Sequence, residues 1–260
     1  MVWDSLVLCD GDRVEAWGRL VRTEAGEFFD PPGVPIPAIL SVSVRPPTGF
    51  GLRVVGADFD AVEERKQYAG DVEGTATLTG RWSGGVLEVD FQTPHRPDGR
   101  HRLAPAWDTP PCPPPAGGWP HGKRDARLRF NLKDLKYSGA VVEATVFHPS
   151  RTQPVLVVAA GDPAAVEAVL RPQLGARLCV VPSRCTRAQV DAARATLERR
   201  MSDYMIWEIY GTADEQGQPV VNASLTRIAP ALAHWLTTQP EGLVHIDAWL
   251  TPRPGRPSGH

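Results

Sequence analysis

Between Val14 and Phe91 the apolar residues of the chain recur at every second position, the period of strands that bury one face. In "VEAWGRLV" Val14, Ala16, Gly18 and Leu20 fall on one side, and in "ILSVSVR" Leu40, Val42 and Val44 alternate with Ser41, Ser43 and Arg45. "GTATLTGRW" sets Ala76, Leu78, Gly80 and Trp82 against Thr75, Thr77, Thr79 and Arg81; "SGG" then turns into "VLEVDF", with Leu87, Val89 and Phe91 facing in. That last pair reads as a hairpin. Between strands three and four, "DAVEERKQYAG" predicts a helix, capped by Asp60 and ended by Gly70.

This order of three strands, a helix and two strands resembles the oligonucleotide/oligosaccharide-binding (OB) barrel over about residues 10–95. The resemblance is one of topology, and it implies a five-stranded barrel able to hold nucleic acid. "PPGVPIP", between the first two strands, departs from the continuous turn of that family. The expected first domain covers residues 1–104.

"PAWDTPPCPPPAGGWPHG", residues 105–122, has five prolines between positions 110 and 115 and is predicted to run as an extended interdomain linker. Beyond it the alternation gives way to strands followed by helices, so residues 123–252 are expected to form an α/β (α+β) domain, with 253–260 as a tail. Within that domain Gln153-Pro154-Val155 recurs as Gln218-Pro219-Val220, 65 residues later. Each copy is preceded by an apolar strand, "AVVEATVF" or "MIWEIYG", and followed by a helix and a further strand. The prediction is two pseudo-repeated strand-strand-helix-strand units, 141–181 and 205–249, sharing one sheet. Thr186 and Gln189 should form a capping box on the helix that joins them.

The turn after "VLVVAAGD" sits where many enzymes bind phosphate. Asp162 supplies its own anion to the helix start, however, and Pro163 removes an N–H, so an ordinary cap is expected. No glycine-rich phosphate loop, G-x-S-x-G or H-E-x-x-H motif occurs. The seven histidines lack a sequence-adjacent catalytic partner, and the pairs Asp10/Asp12 and Asp58/Asp60 read as turn and cap residues. No catalytic residue, cofactor or metal is therefore expected.

Charge argues against nucleic acid on the barrel: residues 1–104 hold 11 basic and 16 acidic side chains. The predicted outward positions of strands two and three carry no aromatic platform for stacking bases. Positive charge gathers instead in "KRDARLRFNLKDLK" and along the connecting helix. Lys123, Arg124, Arg127, Arg129, Arg184, Arg187 and Arg194 are the candidate partner-binding residues. Four scattered cysteines imply reduced thiols. The arginine-rich, lysine-poor composition suggests a bacterial gene, and nothing marks a signal peptide or membrane segment, so a cytoplasmic protein is expected. The reading that follows is a non-enzymatic accessory protein acting through protein–protein contacts. Its alternatives are a nucleic-acid-associated OB-like protein and an enzyme with a site at the domain junction.

Overall fold

The structure, a computed structural model, describes residues 3–34, 48–94, 109–121 and 139–253. The described chain is mostly β, with few helices, arranged as one six-stranded and two three-stranded sheets. The six-stranded sheet holds β1 (Arg13–Thr23), β2 (Gly26–Asp30), β3 (Leu52–Val55), β4 (Glu63–Tyr68), β5 (Asp71–Ser83) and β6 (Val86–Thr93). β1 pairs antiparallel with both β2 and β5, and β3 runs parallel to β6, so the ladder passes β1-β2-β3-β6-β5 and returns to β1. Val14, Leu20, Ala76, Leu78 and Leu87 are fully buried, as the alternation requires.

Three details correct the sequence reading. Residues 63–68 form strand β4, all of it exposed, and no helix. The stretch has no apolar i, i+3, i+4 face to hold a helix down, and Ala69 (φ 50°) with Gly70 (φ 96°) makes the two-residue hairpin turn that leads into β5. Phe91 faces solvent, at 63% exposure, because a bulge on β6 shifts the pairing from Thr79↔Phe91 to Gly80↔Val89. The strand after β1 is Gly26–Asp30, a segment the alternation did not mark, and the strand predicted at 39–45 lies outside the described residues.

Arg19 spans the interior of this sheet, donating to Asp30 Oδ2 at 2.7 Å and to Glu73 Oε2 at 2.9 Å. Both carboxylates are buried and take further partners, Glu73 from Lys66 Nζ at 3.1 Å and Asp30 from the Thr48 N–H at 3.1 Å, so the buried charges are compensated.

The second half contains β7 (Val141–Phe147), β8 (Val155–Ala160), α1 (Pro163–Leu174) and β9 (Leu178–Pro182). After α2 (Arg187–Arg199) and the short α3 (Met201–Tyr204) come β10 (Ile206–Ala213), β11 (Pro219–Arg227), α4 (Pro230–Thr237) and β12 (Val244–Leu250). β7-β8-β9 and β10-β11-β12 form two separate sheets rather than the single one expected. Their internal geometry is nevertheless the same: the first two strands are antiparallel, and the third is parallel to the second. Phe147↔Val155 in one sheet answers to Thr212↔Val220 in the other, at the 65-residue offset seen in the sequence. Even the bulge recurs, between Val141 and Glu143 and between Ile206 and Glu208. Each following helix seals an inner face, through Val166 and Leu170 of α1 and through Leu232 and Leu236 of α4.

Residues 109–121 of the proline-rich segment lie against the outer face of β7–β9. Trp119 packs there with Phe147, Val155 and Val157. Gln153 donates to the Trp119 carbonyl at 2.7 Å. Cys112 is disulfide-bonded to Cys179, Cα–Cα 5.7 Å, which corrects the expectation of reduced thiols. The sequence hid this because the partners are 67 residues apart and meet only once the segment folds back. Cys9 and Cys185 are free.

The six-stranded sheet also meets the second unit directly. Trp249 donates from Nε1 to the Trp17 carbonyl at 2.9 Å and packs against Phe29 in a tilted pair, centroids 4.8 Å apart. A Cβ at Gly18 would come within 2.9 Å of that indole, so glycine permits the approach. Thr226 donates to the Phe50 carbonyl, and Leu250 sits in the core of the six-stranded sheet.

Candidate functional site

Because the two small sheets match residue for residue, their outer faces can be compared row by row. In the first, Thr145, Val157 and Cys179 lie side by side, as do Glu143, Ala159 and Val181. In the second, the matching rows are Tyr210, Asn222 and His245, and Glu208, Ser224 and Asp247. Valine has become asparagine, alanine serine, cysteine histidine, and valine aspartate. Phe147, fully buried, is replaced by Thr212. The inner faces show no such change: Val221, Ala223, Leu225 and Ile246 remain apolar and buried, like Leu156, Val158 and Ala160. Only the outer face has been made polar, and residues 109–121 cover it in the first copy alone.

That polar face floors an open groove of about 1620 Å³. Trp3, Pro32 and Gly33, from the first half, line it together with Trp207 and Trp249, so it lies where the six-stranded sheet meets the second unit. Small-molecule pockets are typically about 300–1,000 Å³; this groove is larger and open. Among its described lining residues are five carboxylates, Glu208, Asp214, Glu215, Glu241 and Asp247, and no lysine or arginine. Asp214 is neutralised by Arg184 at 2.6 Å. At the centre of the floor the Asn222 Nδ2 is buried and finds no acceptor among the described residues. A buried donor without a partner costs about 1–3 kcal/mol, a cost that an occupant carrying a carbonyl would remove. Among the described residues, no three His, Cys, Asp or Glu side chains converge as a metal site.

Of the basic residues singled out from the sequence, the described ones, Arg184, Arg187 and Arg194, are not among the groove's lining residues, though Arg184 pairs with Asp214 at its rim. Lys123, Arg124, Arg127 and Arg129 lie outside the described residues. Arg187 pairs with Asp191 and Arg194 with Glu198, so α2 presents a stripe of alternating charge to solvent. Thr186 and Gln189 form their capping box, and Asp162 caps α1 by accepting from the Ala165 N–H at 3.0 Å. The strand-to-helix turn at Gly161 therefore spends its anion on the helix itself.

Glu208, Tyr210, Asn222, Ser224, His245 and Asp247 were missed from the sequence. The signal was present: "PVVNASLTR" alternates where "VLVVAA" is continuously apolar, and aligning the copies at 65 residues exposes the substitutions on one face. Among the described residues, no helix is long and apolar enough to cross a membrane. Comparison with known protein families, curated proteins and solved structures finds no match for this chain.

Proposed function

We propose that the chain is a non-enzymatic accessory protein that binds another protein through the outer face of β10–β12. The observation that carries this reading is the asymmetry of the two copies: on one face the apolar Phe147, Val157 and Cys179 are covered by the chain's own residues 109–121, while among the described residues their counterparts are polar and line an open groove. A face selected only for folding would repeat the apolar set. In this reading residues 1–104 form an OB-like barrel, supported by the closed circuit of pairings and the parallel β3–β6 contact. The barrel acts as a wall of the groove and not as a nucleic-acid platform, since a groove lined by carboxylates repels phosphate. Residues 123–252 form the second, α/β domain.

A photo-crosslinking side chain placed at Ser224, on the face, and at exposed Ala192, on α2, tests the proposal in cells of the source organism. A discrete protein adduct is expected from position 224 alone, and it should disappear when Asp247→Arg is added. An adduct from position 192 alone, or none from either, overturns the proposal.

A further inference from the structure

Resting on that reading, we infer that the partner presents an extended, cationic polypeptide segment, which lies along the polar face of β10–β12. Three observations point to this chemistry. Charge comes first: with Asp214 paired to Arg184, Glu208, Glu215, Glu241 and Asp247 remain around the groove with no ion-pair partner among the described residues. Lysine or arginine side chains would supply the missing counter-charge; because all four carboxylates are exposed, each pair adds little alone and the attraction is their sum, weakened by salt.

Aromatic side chains come second. Trp207, Tyr210 and Trp249 line the same groove as these carboxylates, and Tyr210 is 39% exposed although it sits on a sheet face. Guanidinium and ammonium groups stack on such rings while their methylene stems cover apolar surface.

The molecule itself supplies the third. The matching face of the first copy is covered by the chain's own residues 109–121, which turn at Pro115–Gly118 and are held by the Trp119 indole, by a carbonyl that accepts from Gln153 and by the Cys112–Cys179 disulfide. The same backbone geometry in the second copy can receive a chain without a covalent tether, with polar and charged contacts where the first has apolar ones and with His245 in the place of disulfide-bonded Cys179. β12 is the last strand of its sheet, and Val244, His245, Asp247 and Ala248, from both of its faces, line the groove. An extended segment can therefore also reach the outward backbone groups of β12, and Asn222 Nδ2 gains a peptide carbonyl.

The test is titration of the full chain with three probes, followed by the amide resonances of β10–β12 and by tryptophan fluorescence. The probes are a ten-residue peptide alternating Arg and Lys with Tyr, a Glu-rich peptide of the same length, and spermidine. The cationic peptide should shift resonances of β10, β11 and β12, bind more weakly as salt rises, and lose at least tenfold in affinity with Glu208→Gln plus Asp247→Asn. Both side chains are exposed, so this variant keeps the fold, and its melting curve verifies that. Equal binding of the Glu-rich peptide, equal binding of spermidine, or cationic binding untouched by the double variant each overturns the inference. If no probe binds while the crosslink from Ser224 persists, the cationic chemistry is wrong and the face stands. If the crosslink is absent too, both fall.

Discussion

Val157 and Asn222 hold the same place in two copies of one fold: Val157 sits between Thr145 and Cys179, and Asn222 between Tyr210 and His245. Val157 is 1% exposed beneath Trp119 and its neighbours, whereas the Asn222 amide nitrogen is buried in the floor of an open groove without a partner among the described residues. Among the described residues that amide contributes desolvation cost and no hydrogen bond. Asn222→Val should therefore leave the urea midpoint unchanged or raise it, since removing an unsatisfied donor is neutral to stabilising. A loss above about 1 kcal/mol, the worth of an ordinary hydrogen bond, would mean that the amide is satisfied within the chain.

Leu170 of α1 and Leu232 of α4 are at most 1% exposed and close the inner faces of the two sheets. Each helix is too short to persist alone, so it depends on that face. Leu170→Ala and Leu232→Ala should each cost about 2–5 kcal/mol in chemical denaturation. Losses below about 1 kcal/mol would contradict burial at that site.

Thiol chemistry tests the fold-back of the proline-rich segment. The native chain should show one reactive thiol, the exposed Cys9. Cys185 should stay silent until unfolding, because burial raises its pKa, an effect that neighbouring Arg184 only partly offsets. Reduction should free Cys112 and Cys179, red-shift tryptophan emission as Trp119 loosens, and lower stability by about 2–4 kcal/mol. Unfolded but unreduced, the chain should show two thiols, Cys9 and Cys185; four would rule out the bond. Disulfides of this kind persist outside the reducing cytoplasm unless sheltered, so the same count made on cell extracts also tests the cytoplasmic location expected from the sequence.

Limited trypsin treatment should cut between about residues 96 and 122, where Arg100 and Arg102 offer sites. The two fragments should elute together, because Trp249–Trp17, Thr226–Phe50 and Leu250 join the halves. Fragments that separate without denaturant would show that these contacts do not hold the halves together.

The alternation around Val14, Leu20, Ala76 and Leu78 was legible because each of these strands buries one face and turns the other outward. So was the 65-residue offset, since both copies keep the same inner face. β4 was misread because an exposed edge strand carries no apolar period, and its turn at Ala69–Gly70 looks from sequence like a helix stop. The groove was missed for a different reason: its residues come from β10, β11 and β12, and no local pattern joins Glu208 to Ser224 and Asp247. Pairing brings them into one row, and only the comparison with Glu143, Ala159 and Val181 shows that the row departs from its twin.

The most direct measurement is the affinity of the protein captured by the Ser224 crosslink, re-expressed and titrated against three forms of the chain: wild type, Glu208→Lys with Asp247→Lys, and Arg187→Glu with Arg194→Glu. The account predicts that the first double variant loses at least tenfold in affinity while the second binds like wild type, since Arg187 and Arg194 are already paired within α2. Loss of binding in the arginine variant, with the groove variant unaffected, would place the partner on α2 and contradict the account.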